Sequence, residues 1–332
     1  MTDYQGLKSK IIRLGALQRV PVLGEFELTS KCNFACPMCY VKDNKPKSEL
    51  AKEEWISIFE EAVVEGLVYA LLTGGEPLTR SDFVELYEFL YDYGVKITVY
   101  TNGYHLTKEQ LEAFTNRPPE MVAITLYGAS DDTYNIVTGI KDGYTKVTEN
   151  ILKLKKSKIN IACRVIPIPE VYADLDDILK FIKENNIPLG YFLYLAPSKK
   201  KDYHGRLSPE QLVDFEQRLL TFKGKQKPSK DFDTLSSCAA LKSGYAVNHR
   251  GYMQPCTLMA HPRKKLERGT FLTTFRELSD KWQNLEKSHD CESCDLSSSC
   301  IPCPARRYYE GDPHKCAPYL LEIAKERKKR ND

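Results

Sequence analysis

The stretch Thr29–Tyr40 reads TSKCNFACPMCY and contains three cysteines, Cys32, Cys36 and Cys39, separated by three and two residues. It directly follows a short run that predicts a β-strand. Three thiolates at this spacing can surround one small cluster, but they do not complete four-coordination alone. A four-iron cluster bound by three thiolates leaves one iron free for another ligand, whereas a structural zinc ion needs a fourth protein ligand. The pattern therefore favours a cluster with an open position over a partial zinc site or a packed loop.

A second motif, Thr73–Pro77 with the sequence TGGEP, follows the next predicted strand. Glycines allow the backbone to approach a ligand closely, and Glu76 provides a carboxylate for a cationic group. Alone, a Gly-Gly pair indicates only a turn. One strand after the three cysteines, however, the motif strengthens the prediction of a binding site.

Short apolar runs alternate with amphipathic stretches from about residue 25 to residue 194, and residues such as Trp55, Phe59 and Ala62 recur at helical spacing. Strand followed by helix, repeated, predicts a parallel sheet with right-handed crossovers. Six repeats suffice for a partly open barrel or a doubly wound sheet, and in both the functional loops follow the carboxyl ends of the strands. The predicted strands are Glu25–Thr29, Leu67–Thr73, Lys96–Thr101, Met121–Tyr127, Asn160–Ile166 and Tyr191–Leu195.

The cysteine loop and the TGGEP turn resemble the radical S-adenosylmethionine (SAM) superfamily, and the similarity extends from Glu25 to about Leu195. It implies an α/β fold, a partial (β/α)6 TIM-like barrel. In this family three cysteines bind a [4Fe–4S] cluster whose open iron binds SAM, which implies that the cluster ligands are Cys32, Cys36 and Cys39. The residue before the third cysteine is usually aromatic in the family. Here it is Met38, which can pack on an adenine ring, and Tyr40 is adjacent. The other residues that the resemblance implies at the SAM site are Gly74, Gly75, Glu76, Pro77, Asn102, Thr125 and Arg164.

Seven further cysteines lie in the last third of the chain, at Cys238, Cys256, Cys291, Cys294, Cys300, Cys303 and Cys316. Two CxxC pairs alone are compatible with a small zinc site, but seven cysteines exceed one tetrahedral site. The set resembles the SPASM domain, an appendage of radical SAM enzymes that carries two auxiliary [4Fe–4S] clusters, although two residues instead of three separate Cys300 and Cys303.

This second resemblance divides the seven cysteines into two ligand groups. It implies that Cys238, Cys256 and Cys303 bind the cluster nearer the active site, the inner cluster. The ligands implied for the outer cluster are Cys291, Cys294, Cys300 and Cys316. Three [4Fe–4S] clusters and SAM are therefore the expected cofactors. The remaining cysteine, Cys163, lies in a predicted strand and is interpreted as a small core residue.

Composition excludes several classes of protein. The chain has 332 residues, and 48 Lys and Arg against 45 Asp and Glu leave a net charge of +3, which does not indicate a nucleic-acid or membrane partner. No run approaches the roughly 18 apolar residues of a spanning helix, and no signal peptide is recognisable. Eleven cysteines without an export signal favour metal binding over disulfides. We therefore expect a cytoplasmic protein.

The predicted domain organisation has five parts. They are an N-terminal extension (1–24), a radical SAM partial barrel (25–196), a linker with a bridging helix (197–233), a SPASM auxiliary-cluster domain (234–322) and a basic tail (323–332). The linker helix is predicted from Ser208 to about Phe222, with Pro209 at its first position, Gln211 in a capping box and Gly224 at its end.

The resemblance implies an enzyme that cleaves SAM reductively to a 5′-deoxyadenosyl radical, which abstracts hydrogen from a substrate. SPASM enzymes mostly modify ribosomally made peptides or proteins, so we expect a peptide or protein side chain to be crosslinked, joined in a thioether or oxidised. The alternatives are a radical SAM dehydrogenase or epimerase of a small metabolite and a non-catalytic metal-binding scaffold. An electron donor such as flavodoxin or ferredoxin is the expected redox partner.

Two further features bear on the substrate. Only 31 residues precede Cys32, too few for a winged-helix leader-binding domain, so we expect any leader to bind a separate protein or the barrel or SPASM surface. Thr257 follows Cys256, where sulfatase-maturating members carry an Asp base, so formylglycine formation is not expected. No general base is assigned, because a solvated loop is the interpretation preferred for His249, His261, Asp202, Tyr203 and His204.

Overall fold

A computed structural model describes residues 4–41, 48–197, 205–224, 238–286, 291, 293–300 and 303–331. Its strands are β1 (Leu23–Glu27), β2 (Tyr69–Thr73), β3 (Lys96–Thr101), β4 (Met121–Thr125), β5 (Ile161–Val165), β6 (Leu189–Tyr191), β7 (Gly244–Val247), β8 (Tyr252–Gln254) and β9 (Lys264–Lys265). Its helices are α1 (Tyr4–Gln18), α2 (Lys52–Val64), α3 (Phe83–Asp92), α4 (Lys108–Asn116), α5 (Asp131–Thr138), α6 (Gly143–Lys156), α7 (Pro169–Ala173), α8 (Leu175–Glu184), α9 (Pro209–Phe222), α10 (Phe271–Glu286), α11 (Pro304–Glu310) and α12 (Pro318–Asn331). Short 3₁₀ helices span Pro77–Thr79 and Ser297–Ser299.

The strands of the described ranges form one sheet, in the order β6-β5-β4-β3-β2-β1-β7-β8-β9. Neighbouring strands from β6 to β7 are parallel, and β8 and β9 are added antiparallel. Because β6 and β9 are separate edges, the sheet is not closed. The predicted α/β fold with a partial barrel of six β/α repeats is confirmed, and the sheet continues beyond it.

The two faces of the sheet differ in chemistry. Phe26 of β1 packs edge-on against Trp55 and Phe59 of α2, with ring centroids 6.2 and 5.0 Å away. Successive residues of a strand point to opposite faces, so Glu25 and Glu27 lie on the other, concave face. The same alternation buries Leu72, Val99, Ile124 and Cys163 on the helix side. The apolar core therefore lies between the sheet and the helices, and the concave face carries polar residues.

Two predicted strands are displaced. The first was expected at Glu25–Thr29, but β1 ends at Glu27 because the Thr29 hydroxyl donates to Glu49 at 3.0 Å instead of continuing the strand. The prediction of Tyr191–Leu195 for the sixth strand is also wrong. After β6 the chain leaves the sheet, since the Tyr194 hydroxyl donates to Glu310 of α11 at 3.0 Å.

The cysteine-rich third contains strands that the sequence pattern does not predict. Strand β7 pairs in parallel with β1, with Leu23 opposite Gly244 and Phe26 opposite Val247. All four residues of β7 are buried, so this strand joins the C-terminal third to the same apolar core. The pairing places the residues after β8 close to the concave face.

The linker helix is confirmed as α9, with Ser208 at its N-cap and a capping box formed with Gln211. Residues 198–204 and 225–237 of the linker region lie outside the described residues. The predicted boundary between 322 and 323 falls inside α12, whose Arg327 pairs with Glu216 of α9 at 2.7 Å. Residues 323–331 therefore belong to a helix that contacts α9, and Lys328, Lys329 and Arg330 lie in its last turn.

Helix α1 precedes the sheet and leaves Leu14 and Leu17 exposed, at 55 % and 72 %. Within the described ranges, no helix combines the length and the apolar character that crossing a bilayer requires.

Candidate metal and cofactor site

The three N-terminal cysteines lie on the loop after β1, at the carboxyl edge of the parallel sheet. Cys36 is buried, Cys39 is partly buried and Cys32 is exposed. The loop turns back on itself where the Cys39 N–H donates to the Cys36 carbonyl at 3.3 Å. Phe34 anchors it by edge-on ring contacts with Tyr104, Tyr127 and Tyr134. The loop is thus held by the aromatic core as well as by its own backbone.

The surroundings of the Cys32 sulfur fit a metal ligand. The Phe34 N–H lies 3.4 Å from Sγ, and Asn102 Nδ2 lies 3.7 Å from it. Although the residue as a whole is exposed, desolvation by the surrounding loop raises the pKa of this thiol to about 11, and the charges of Glu76 and Cys39 raise it further, whereas the two N–H groups lower it. The thiolate form is therefore favoured only beside a positive charge, such as the iron of a cluster. Asn102, expected near the cofactor, is placed beside the first cysteine.

The TGGEP turn is joined directly to the cysteine loop. The Gly75 N–H donates to the Thr29 carbonyl at 2.7 Å, and the Glu76 N–H donates to the Lys31 carbonyl at 2.8 Å. A Cβ on Gly74 would lie 2.5 Å from the Thr29 oxygen, and one on Gly75 would lie 2.1 Å from the Lys31 oxygen. Glycine is required here because the turn contacts this backbone so closely. The close approach expected toward a ligand is thus explained by the contact with the cysteine loop.

Glu76 is fully buried and its carboxylate is already hydrogen-bonded within the chain. It accepts from the Thr101 hydroxyl and the Asn102 N–H at 2.7 Å each, and from the Leu78 N–H at 3.1 Å. Burial raises its pKa to about 7, and these hydrogen bonds oppose the shift. The side chain therefore fastens the turn to the end of β3. Its neighbour Pro77 is also buried. The contacts with SAM that are predicted for Glu76 and Pro77 stay predictions.

Thr125 and Arg164 are paired in register on β4 and β5. Both are partly buried, and the alternation of these strands places them on the concave face. The Arg164 guanidinium lies 4.0 Å from the centre of the Tyr100 ring, a cation–π geometry. Their predicted contacts with SAM stay predictions, but both residues share one sheet edge with the cysteine loop.

Met38 and Tyr40 flank the third cysteine in different ways. Met38 is partly buried against the apolar core. The Tyr40 hydroxyl donates to Glu27 Oε1 at 3.0 Å, so Tyr40 ties the cysteine loop to β1. The adenine contact predicted for this pair stays a prediction.

Glu25 and Glu27 are functional candidates that the sequence reasoning missed. Glu25 Oε2 accepts from the Thr257 N–H at 3.2 Å, next to Cys256 of the C-terminal set. Burial raises the pKa of both carboxyls, that of Glu27 to about 7, although hydrogen bonds from Thr257 and Tyr40 oppose this. The available signal was the alternation Glu-Phe-Glu, which places two carboxylates on the face opposite a core phenylalanine.

The C-terminal cysteines fall into two groups. Negative charges on Cys303 and Cys238 add to burial and raise the pKa of Cys256. Burial likewise raises the pKa of Cys300. The negative charges of three other cysteines, Cys291, Cys316 and Cys294, raise it further. The division is the same as the one inferred for the inner and outer clusters, and the ligand assignments themselves stay predictions.

The geometry also bears on the zinc alternative. Among the residues that the structure describes, no three Cys, His, Asp or Glu side chains converge as the ligands of one ion would. In a four-iron cluster each thiolate binds a different iron, so the sulfur atoms need not converge on one point.

Of the histidines considered as bases, His261 is exposed. The expectation of a solvated loop is wrong for His249, which is 3 % exposed, and burial lowers its pKa. The reason is that the β7–β8 turn packs against the chain near Leu50, whose N–H donates to the His249 carbonyl. Asp202, Tyr203 and His204 lie outside the described residues.

Comparison with known proteins matches residues 26–182 to the radical SAM superfamily. The AdoMet-dependent heme synthase of Methanosarcina barkeri is 26 % identical over 217 residues, which are 65 % of this chain and 61 % of that protein. The PqqA peptide cyclase of Rhizobium meliloti is 31 % identical over 122 residues, which are 36 % of this chain and 32 % of the cyclase.

Among solved structures, Streptococcus suis SuiB bound to its precursor peptide SuiA matches with a TM-score of 0.71 and 14 % identity, over 96 % of this chain and 80 % of SuiB. At this identity the likeness concerns the fold. The alignments cover less than two thirds of the two curated relatives. The superfamily match nevertheless coincides with the cysteine loop, the TGGEP turn and the parallel sheet, and so residues 26–182 form a segment that matches the radical SAM superfamily.

Proposed function

We propose that the chain is a radical SAM enzyme that modifies a peptide or protein side chain by crosslinking, thioether formation or oxidation. The observation that carries the proposal is the junction between the cysteine loop and the TGGEP turn, in which Gly75 and Glu76 donate backbone hydrogen bonds to Thr29 and Lys31. This junction brings the proposed cluster ligands and the proposed SAM-binding turn to one edge of the sheet.

The match to the superfamily implies SAM and one [4Fe–4S] cluster. SAM bound at that cluster supplies a 5′-deoxyadenosyl radical that abstracts hydrogen from a nearby C–H bond. In this chain Cys32, Cys36 and Cys39 hold the cluster. SAM is contacted by Met38, Tyr40, Gly74, Gly75, Glu76, Pro77, Asn102, Thr125 and Arg164, and Glu76 also holds the turn in place.

The concave face is the proposed place of the substrate. Glu25 and Glu27 lie on its β1 wall, and Arg164 lies on β5, where its positive charge opposes in part the burial that raises the pKa of Glu25. Carboxylates and a guanidinium on one face can orient polar groups of a substrate and replace the water that would otherwise solvate them. The contact between Glu25 and Thr257 places this wall beside Cys256.

The remaining cysteines are proposed to bind two auxiliary [4Fe–4S] clusters. Cys238, Cys256 and Cys303 hold the inner one, and the outer one is held by Cys291, Cys294, Cys300 and Cys316. The proximity of Cys303 and Cys238 to Cys256, and of Cys291, Cys316 and Cys294 to Cys300, supports this division. A flavodoxin or ferredoxin as electron donor, a separate leader-binding protein and a cytoplasmic location belong to the same proposal.

Two of the proteins that this chain matches support a peptide substrate. One relative is a peptide cyclase, and SuiB was crystallised with a precursor peptide. The second candidate is a small-molecule reaction, such as a dehydrogenation or epimerisation. It is favoured by the heme synthase match, which covers 65 % of this chain against 36 % for the peptide cyclase.

The test is anaerobic reconstitution with iron and sulfide, followed by dithionite and SAM, with 5′-deoxyadenosine measured by liquid chromatography and mass spectrometry. The nucleoside is expected from the wild-type chain and not from Cys36→Ala. Iron-loaded wild-type protein that forms none would overturn the proposal and leave the scaffold alternative.

Substrate class is tested by adding peptides encoded next to this gene and measuring their mass. A shift that depends on SAM, such as the loss of two mass units in a crosslink, supports the peptide reaction. Nucleoside formation with unchanged peptides, accompanied by conversion of a small metabolite, would favour the second candidate.

A further inference from the structure

Arg307 of α11 is a buried cation beside the C-terminal cysteines. The residue is 2 % exposed. Its Nη1 donates to Cys291 Sγ at 3.8 Å, and its Nε donates to the Pro313 carbonyl oxygen. Its Nη2 has no hydrogen-bond partner within the described ranges. The guanidinium is thus aimed at a cysteine sulfur with part of its donor capacity unused.

Burying a cation without an anion is strongly unfavourable, and two neighbouring arginines show the ordinary solution. Arg206 pairs with Glu310, and Arg327 pairs with Glu216, each at 2.7 Å and each largely buried. In the described part of the chain, Arg307 forms no ion pair with a carboxylate. Within these described surroundings the atom that faces the charge is therefore the Cys291 sulfur.

The adjacent Arg306 is in a related position. Its guanidinium lies 5.1 Å from the centre of the Tyr194 ring and 5.8 Å from that of Phe192. Cys300, Arg306 and Arg327 line one small pocket, and among the described residues Arg306 too lacks a carboxylate partner. Arg307 thus faces Cys291 of the set assigned to the outer cluster, and Arg306 lies near both Cys300 of that set and Cys303 of the inner set.

We propose that Arg307, assisted by Arg306, is the counter-charge of the outer auxiliary cluster and raises its reduction potential. The inference rests on the proposed function, since it requires a cluster on Cys291, Cys294, Cys300 and Cys316. A four-iron cluster with four thiolates is anionic, and one-electron reduction adds one more negative charge. A fixed positive charge and an N–H donor to a ligand sulfur both stabilise the reduced form.

The experiment uses the full chain with Cys32, Cys36 and Cys39 replaced by Ala, so that only the auxiliary clusters titrate. Potentiometric titration followed by electron paramagnetic resonance compares this parent with versions that carry Arg307→Gln, Arg307→Lys or Arg268→Gln. Arg268 is an exposed arginine on the loop before α10 and controls for loss of one charge.

For one cluster, Arg307→Gln is expected to lower the ratio of reduced to oxidised form at fixed potential by about tenfold, equivalent to 59 mV for a one-electron couple. Arg307→Lys should retain most of the parent ratio, and Arg268→Gln all of it. Equal titrations of the parent and Arg307→Gln, at equal iron content, overturn the proposal. A parent that binds no iron overturns the auxiliary-cluster assignment as well.

A second measurement, the melting temperature, tests the proposal if little iron-loaded Arg307→Gln is recovered. In the cluster-free, reduced full chain, the substitution removes an uncompensated buried charge, so its melting temperature should equal or exceed that of the parent. In the iron-loaded chain it should be lower. A lower melting temperature in the cluster-free chain would make Arg307 a structural residue and overturn the proposal.

Discussion

The two cysteine-bearing regions of the molecule are supported by different forces. The loop after β1 is fastened by backbone hydrogen bonds to the TGGEP turn and by Phe34 in the aromatic core. The C-terminal region joins the same core through β7 and through Phe271, Phe275 and Trp282 of α10. Its helix α12 is also joined to α9 by the buried ion pair Arg327–Glu216. The comparison indicates that the sheet and its turns position the first set of cysteines, whereas the second set depends more on helix packing and buried charge.

Cysteine substitutions should separate the two regions most strongly. Cys36→Ala should reduce 5′-deoxyadenosine formation by more than about 100-fold, because the proposed SAM-binding cluster loses a ligand. Cys294→Ala should lower iron content and abolish substrate modification, yet leave the nucleoside within about tenfold of wild type. Cys163→Ala, in a buried strand position, is the matched control with full iron. Equal loss of nucleoside in Cys36→Ala and Cys294→Ala would contradict the comparison.

The buried ion pair is the next test. Arg327→Met leaves Glu216 buried without its partner, and we expect a loss of about 3–5 kcal/mol in the free energy of unfolding. The matched control is Arg330→Met on the same helix, where the more exposed pair with Glu326 should contribute less than about 1 kcal/mol. Urea unfolding of the reduced, cluster-free chain measures both. Similar losses in the two variants would show that the burial of this pair is unimportant.

A smaller loss is expected at the junction of the N-terminal site. Gly75→Ala would place a Cβ 2.1 Å from the Lys31 oxygen, so the turn and the cysteine loop must separate at a cost of about 1–3 kcal/mol. Gly6→Ala, in α1 with nothing within 4 Å of the added atom, should instead be stabilising by up to about 1 kcal/mol. Urea midpoints test the pair, and a neutral Gly75→Ala would mean that the junction is loose.

The last prediction concerns the dependence of the free energy of unfolding on pH. Burial raises the pKa of Glu27 from 4.5 to about 7, so the folded chain binds this proton more tightly than the unfolded chain. The stabilisation is complete below pH 4.5 and is lost as the pH rises through 7. Glu27→Gln removes this dependence and should gain about 2–3 kcal/mol relative to wild type between pH 5 and pH 8. Urea unfolding at both pH values measures it, and a constant difference would indicate an unshifted carboxyl.

The order of strands and helices in the barrel and the helix at Ser208 could be predicted because their signals are local. Alternation of side chains and capping residues act over a few positions. The end of the sixth strand could not be predicted from the sequence. The apolar pattern continues after Tyr191, but the Tyr194 hydroxyl donates to Glu310, which lies more than a hundred residues away. Strand β7 was missed because four residues beside β1 carry too short a pattern.

The candidate site also combines features that could be predicted from the sequence with features that could not. The spacing of Cys32, Cys36 and Cys39 and the TGGEP turn could be interpreted directly, because both motifs are short and follow strand ends. The glycines were expected to face a ligand, but a contact with the cysteine loop explains them. Glu25 and Glu27 were missed because their importance comes from the face on which they lie.

By itself the amino-acid order determined the α/β class, the location of the two groups of cysteines and the resemblance to the radical SAM superfamily, since each depends on residues close together in the chain. Tertiary structure alone decided that Glu25 meets Thr257, that Arg327 meets Glu216 and that Arg307 faces Cys291. The first two contacts join residues more than a hundred positions apart, and the third depends on how α11 packs. Burial gives these charges their effect, and burial exists only after the chain has folded.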